Sequence, residues 1–330
     1  MLPPLLRRLP ALILPLSLPL GLSLGLAGCT TASNFRYQVP EQPEGSSAYT
    51  EKPGWSAQRF AVAAANPLAT NAGYQVLRAG GSAVDAAIAV QMVEEGAHVL
   101  ALDRELARMD ETLALAQKAA LTSRGSIEAM ACDVTLSEAI KACVDHAMAR
   151  FGRIDVLVNN VGGSAAGGPV EMSEAVWDAQ IDHNLKSVFL GCKHVLPIMA
   201  AQGAGAIVNI ASTSGMRWTG AAQVAYAATK AGVIQLGKVV AVQYAKQGIR
   251  VNTVVPGQLH TPMVETRLAG QRAGGDVQSL LQARQARIPL PFMGDGRDTA
   301  RAVLFLASEE ARFITGTEIV VDGGMSVRCD

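Results

Sequence analysis

A doubly wound parallel sheet of the α/β class, within a single domain, is the fold this sequence predicts, and three observations predict it. From residue 97 onward, short apolar runs rich in β-branched residues alternate with longer amphipathic segments, the pattern of successive βαβ units. The runs are continuously apolar rather than alternating, as strands covered on both faces must be. Each run ends in polar or glycine residues, at the strand ends where an open α/β sheet carries its chemistry.

Taken in chain order, residues 1–28 read as a signal peptide. Arg7 and Arg8 precede an apolar run that closes on Leu26-Ala27-Gly28-Cys29, a basic region, an apolar region and a small-residue cleavage site. This resembles a bacterial lipoprotein signal. The resemblance implies that Cys29 carries lipid after cleavage and that the mature protein is membrane-anchored, facing the periplasm. The alternative is an uncleaved N-terminus, which would leave the protein cytoplasmic. Pro10, Pro15 and Pro19 argue against a stable spanning helix. Residues 29–58, rich in Ser, Thr, Pro, Glu and Gly without an apolar period, read as a disordered, flexible linker.

The domain is expected over 59–330, with 59–93 as an atypical first strand (74–77) and first helix (84–93). Further strands are expected at 98–103, 126–134, 154–160, 206–212, 249–256 and 317–322, and helices at 137–150, 173–202, 222–247 and 298–308. The strand ends carry Asp103, Asp133, Asn160, Ser212 and Pro256-Gly257.

The chain has 330 residues, with 28 Lys plus Arg against 28 Asp plus Glu. This balance, without blocks of like charge, gives no reason to expect a nucleic acid or an anionic surface as partner. Five cysteines, widely spaced and without a CxxC pair, suggest neither a disulfide framework nor a zinc site, so no metal is expected.

Tyr226 and Lys230, in "YAATK", are four apart on a helical segment and project from one face. An ammonium beside a phenol favours the phenolate and makes the tyrosine a usable acid or base near neutrality. Alone, the same spacing also describes an ordinary surface pair. The surrounding motifs decide the matter: "VNNVG" at 158–162, "DHNLKSVFLG" at 182–191, "NIASTSG" at 209–215, "VNTVVPGQLHTPM" at 251–263 and "GTEIVVDGG" at 316–324. Over about residues 94–330 the chain resembles the short-chain dehydrogenase/reductase family, whose fold is of the Rossmann type.

The resemblance implies an NAD(P)-dependent oxidoreductase that interconverts a secondary alcohol and a ketone by hydride transfer. Tyr226 would exchange the proton at the substrate oxygen. Lys230 would lower the Tyr226 pKa and hold the nicotinamide ribose. Asn184 would hold a water linking Lys230 to solvent. Ser212 would bond the carbonyl or alcohol, although the family's usual serine-to-tyrosine spacing selects Thr213. The Ser-x-x-Gly register favours Ser212, whose other reading is a loop hydroxyl satisfied by backbone.

An acidic residue at the end of the strand 98–103 suits ribose hydroxyls and repels a 2′-phosphate, so Asp103 favours NAD over NADP; capping the following segment is its alternative use. By resemblance Asp133 and Val134 would line the adenine, Asn160 would lie near the cofactor, and Thr261 would meet the carboxamide. A homodimer or homotetramer formed through the two long helices is also implied.

The family's glycine-rich phosphate loop has no counterpart. Its three glycines fall on Ala79, Ala83 and Asp85, and Asp85 would set a negative charge where backbone amides usually cradle pyrophosphate. Residues 65–93, "ANPLATNAGYQVLRAGGSAVDAAIAVQMV", instead resemble the start of the γ-glutamyltranspeptidase large subunit, within a foreign segment of about 60–93. Two further functions remain open: a catalytically silent lipid-anchored scaffold, and a γ-glutamyltransferase-related protein, for which no nucleophilic N-terminal threonine is found.

Overall fold

The computed structural model describes residues 83–261, 264 and 276–329. The signal, Cys29, the linker and the first strand expected at 74–77 lie outside the described residues. Among the described residues six strands follow in chain order: β1 (His98–Asp103), β2 (Ser126–Ala131), β3 (Val156–Asn159), β4 (Gly205–Ile210), β5 (Ile249–Pro256) and β6 (Glu318–Val321). Every pairing is parallel. The strands form two sheets, β1-β2 and β3-β4-β5-β6.

The helices are α1 (Ala83–Glu94), α2 (Asp110–Ala120), α3 (Ser137–Phe151), α4 (Glu174–Ile181), α5 (Ser187–Gln202), α6 (Val224–Tyr244), α7 (Val277–Gln285) and α8 (Gly296–Ala307). They cover both faces of the sheets. On β4, Val208 and Ile210 point to one side, where they pack with Ala87 and Ile88 of α1 and with Ala300, Val303 and Leu306 of α8. Ile207 and Ala211 point to the other side, into a cluster with Val188, Val195 and Met199 of α5 and Val233 and Ala241 of α6. The two-residue strand period thus sorts one apolar run into two cores, and each fully buried aliphatic side chain is worth roughly 1.5–3 kcal/mol. Left-handed glycines close two of the helices, Gly152 after α3 and Gly203 after α5, as expected where only glycine meets no Cβ penalty.

Three departures from the expected elements have local causes. Strand β2 stops at Ala131 rather than 134, because Asp133 turns the chain by accepting from the Thr135 amide and hydroxyl at 2.9 and 2.7 Å. Helix α2 was not among the expected elements, although its sequence is amphipathic and it packs Ala116, Leu115 and Ala119 against α1 and β1. The helix expected over 173–202 is broken by one π-turn, Asp182–Lys186, and that turn carries Asn184.

Candidate active site

The site forms where α6 starts against the carboxyl ends of β3 and β4. Gln223, just before α6, donates to the Ser214 hydroxyl at 2.7 Å and to the Thr219 hydroxyl at 3.2 Å, tying the helix start to the loop after β4. Ser212 caps the short turn that follows, its hydroxyl accepting from the Ser214 amide at 3.2 Å. Gly215 closes that turn. A Cβ there would stand 2.6 Å from the Ala231 nitrogen and the Lys230 carbonyl carbon of α6, so the glycine lets the serine loop lie directly on the helix. This gives the Ser-x-x-Gly register a steric reason. It also separates the two serine candidates: Thr213 is buried while Ser212 remains partly open.

Lys230 is 2 % exposed. Its ammonium donates to the Ile210 carbonyl at 2.8 Å and stands 5.8 Å from the centre of the Tyr226 ring. Burial brings its pKa down to about 8, against the attraction of the Asp85 carboxylate, which acts upward. Gly162 opens the passage for this side chain, since a Cβ would stand 2.9 Å from the Lys230 Nζ and 3.1 Å from the Asn184 Oδ1.

Asn184 is fully buried. Its Oδ1 accepts from the Gly163 amide at 2.8 Å, and its Nδ2 donates to the Gly163 carbonyl at 3.1 Å and to Gln180 Oε1 at 3.2 Å. Gln180 was not singled out by motif. It also accepts from the Ala165 amide at 3.2 Å, so it fixes both Asn184 and the loop beyond β3; its position one helical turn before Asn184 was the available signal.

The structure therefore gathers Tyr226, Lys230, Ser212 and Asn184 around one strand-end region. The residues expected around the nucleotide spread along the other strand ends. Asp103 Oδ1 accepts from the Glu105 amide at 2.9 Å, a turn that engages one carboxylate oxygen. The Thr135 hydroxyl and amide hold the Asp133 carboxyl below its usual range, and Val134 packs beside Ile140 and Leu190. Asn160, one residue beyond β3, donates its side-chain amide to the Asp85 carboxylate in the first turn of α1. Thr261 follows β5, and its carbonyl accepts from the Val264 amide at 2.9 Å.

A family model described as enoyl-(acyl carrier protein) reductase matches residues 81–326. The chain belongs to the short-chain dehydrogenase/reductase family. Among curated members, the 3-oxoacyl-[acyl-carrier-protein] reductase of Thermotoga maritima is 37 % identical over 246 residues, covering 74 % of this chain and 94 % of that protein. The 2-(R)-hydroxypropyl-CoM dehydrogenase of Xanthobacter autotrophicus is 39 % identical over 245 residues, covering 72 % and 92 %. Among solved structures, a short-chain dehydrogenase/reductase from Burkholderia xenovorans is similar at 63 % identity and a TM-score of 0.72, covering 76 % of this chain and 92 % of that one.

As a short-chain dehydrogenase/reductase, the protein is an oxidoreductase of a family that works with NAD(P). The donors present fit such a dinucleotide at its two ends. The second carboxylate oxygen of Asp103 suits a ribose diol, and the Tyr226–Lys230 pair suits a reacting carbonyl. Asp85, in the first turn of α1, adds a negative charge beside Asn160, which does not suit an anion. Residues 1–80 lie outside the family match.

Proposed function

We propose that the protein is an NAD-preferring dehydrogenase that interconverts a secondary alcohol and a ketone. The reading rests on one observation, the buried Lys230 ammonium 5.8 Å from the centre of the Tyr226 ring beside the Ser212 turn. Tyr226 gives its proton to, or takes it from, the substrate oxygen. Ser212 bonds the same oxygen and holds it in reach of the phenol. Lys230 favours the phenolate by its charge and holds the nicotinamide ribose, and Asn184 orders the water through which Lys230 meets solvent. Asp103 selects NAD over NADP, with Asp133, Val134 and Asn160 lining the adenosine side and Thr261 at the carboxamide. When bound, the dinucleotide supplies the hydride. The substrate is shaped by segments 163–169, 216–224 and 259–292; the last of these includes His260, Leu281, Gln282 and Gln285, which with Met293 line an open depression of about 270 Å³.

Asp85 supports a second reading, the catalytically silent lipid-anchored scaffold, because its carboxylate opposes the phosphates. NADH titration followed by fluorescence separates the two. Saturable binding is expected, tightened about 5–10-fold by Asp85→Asn, as expected for a unit charge removed near a phosphate at moderate effective dielectric. The substitution keeps an oxygen that can accept from Asn160 but removes the anion that helps keep Lys230 charged, so the activity optimum should also move to lower pH. No binding up to millimolar NADH in either protein would establish the silent scaffold. The γ-glutamyltransferase reading rests on residues 65–93 alone and predicts chain cleavage.

Export and assembly belong to the same proposal. The signal directs the chain to the periplasmic side of a membrane, held by lipid on Cys29. Mass measurement of the isolated N-terminus should find a lipid-modified Cys29, and an intact Met1 would place the enzyme in the cytoplasm. Pairing of subunits through α5 and α6 would cover Phe189 and Val242, apolar side chains that are 52 % and 79 % exposed, and would give the homodimer or homotetramer.

A further inference from the structure

The loop between the Ser212 turn and α6 carries two large apolar side chains in the open: Met216 is 46 % exposed and Trp218 is 70 % exposed. Backbone and side-chain bonds fix both of its ends. The Met216 and Arg217 amides donate to the Thr213 carbonyl at 3.1 and 3.0 Å, and the Thr219 hydroxyl accepts from Gln223 at 3.2 Å. A loop that buries so little apolar surface is ordinarily among the least stable parts of a fold. Here three arginines hold it.

Arg287 donates to the Thr219 carbonyl at 2.9 Å. Gly220, at φ +83°, makes the approach possible, since a Cβ there would stand 2.6 Å from the Arg287 Nη1. Arg217 donates to the carbonyls of Ser326 and Arg328, the latter at 3.1 Å. Arg328 in turn donates to the Ala286 carbonyl at 2.6 Å, next to Arg287, and the Leu290 amide donates to the Gly323 carbonyl at 3.2 Å. Segments 216–220, 286–290 and 323–328 are thus each bonded to the other two. The last of them is anchored to the sheet, because Asp322, directly after β6, accepts from the Gly324 and Ser326 amides at 2.8 and 2.6 Å. A guanidinium bonded to a carbonyl is stronger than a neutral pair, and in a closed ring the loss of one such bond loosens the other two segments as well.

We propose that Arg217, Arg287 and Arg328 are positioning residues that present Met216 and Trp218 as a fixed apolar wall of the substrate mouth, and that this wall selects ketones and alcohols carrying a bulky apolar group such as an alicyclic ring. The proposal rests on the dehydrogenase reading for the identity of the reacting group. The loop joins the Ser212 turn to the helix that carries Tyr226, so an oxygen held by both hydroxyls sets the rest of the substrate beside it. Large side chains kept exposed on a rigid frame mark a binding surface rather than a core. Because the ring of bonds has already ordered the loop, little of the contact energy with a matching apolar group is lost to ordering it on binding. The last residues of the chain, through the Ser326 and Arg328 carbonyls, are on this view part of the substrate wall.

Calorimetric titration of the full chain with NADH present tests it, comparing cyclohexyl methyl ketone with 2-butanone. The ring ketone should bind at least about 30-fold more tightly, since each buried methylene is worth about four-fold. Binding is read without turnover, so a chain that prefers the ring but reduces neither ketone would sink the dehydrogenase reading and leave the apolar wall standing. Met216→Ala combined with Trp218→Ala should bring the preference below about five-fold; both side chains are exposed, so the fold is not at stake. Arg287→Met should lower the preference at least about five-fold, and Arg287→Lys, which keeps a donor for the Thr219 carbonyl, should restore at least about half of the loss. An arginine with a merely structural role would weaken both ketones alike. Where turnover is measured, the loss should fall on KM for the ring ketone rather than on kcat. Equal affinity for the two ketones in the unsubstituted chain would overturn the proposal, as would a preference that survives either the Met216 and Trp218 pair or Arg287→Met. A preference that disappears as protein concentration rises would hand the exposed patch to a second copy and overturn it equally. Should Arg287→Met fail to fold, Arg217→Met takes its place with the same two outcomes.

Discussion

Tyr226→Phe is expected to lower turnover by about 10³-fold or more while leaving NADH affinity within about two-fold. The hydroxyl is the group assigned to carry a proton to or from the substrate oxygen, and a positioned acid or base of this kind contributes about 10²–10⁴ in rate. Loss of the serine contact geometry adds little, because Ser212 is held by its own turn and by the packing of Gly215 on α6, neither of which uses the phenol. The helix should also be undisturbed, since its start is fixed by Gln223 and its buried face by Ala225, Thr229, Val233 and Ile234. The effect should therefore fall on kcat and on kcat/KM together, as for an interaction made in the transition state. Single-turnover kinetics with NADH binding measured in parallel check it, and turnover within ten-fold of the unsubstituted enzyme would refute the proton-transfer role.

The parts of this site that could be read from sequence are those whose physics is local. Tyr226 and Lys230 are fixed relative to each other by helical spacing, and β1 and β5 take the residue bounds their apolar runs predict. Cys132 and Cys192 are free, buried thiols whose pKa values burial pushes up to about 12. What could not be read depends on contacts distant in the chain. The π-turn at Asn184 accompanies side-chain bonds to the Gly163 backbone, and no proline or glycine within residues 182–186 marks it. The partner that Asp85 finds in the fold, Asn160, lies 75 residues away, and no local pattern announces it. The described strands fall into two sheets, β1-β2 and β3-β4-β5-β6, a division that no apolar run announces.

Lys230→Met should separate function from stability. Turnover should fall about 10²–10⁴-fold, because the charge that favours the Tyr226 phenolate is lost. Stability should move the other way at neutral pH. The folded protein holds the Lys230 pKa at about 8, below its ordinary 10.5, so between these values the unfolded chain binds the extra proton and stability rises with pH. Below about pH 8 both states are charged, and the cost of burying the ammonium is fully present, roughly 3 kcal/mol. Removing the amine relieves that cost but leaves the Ile210 carbonyl without its donor, a loss of about 1–2 kcal/mol. The variant should thus be about 1–2 kcal/mol more stable than the unsubstituted protein at pH 7. That advantage should shrink and reverse toward pH 10, as the native lysine discharges in the folded state. Urea unfolding at both pH values measures the difference, and an advantage that does not change with pH would mean that burial leaves the Lys230 pKa at its ordinary value. In that case the amine would stay charged in the fold up to its ordinary pKa, and the burial cost assigned to it would be absent.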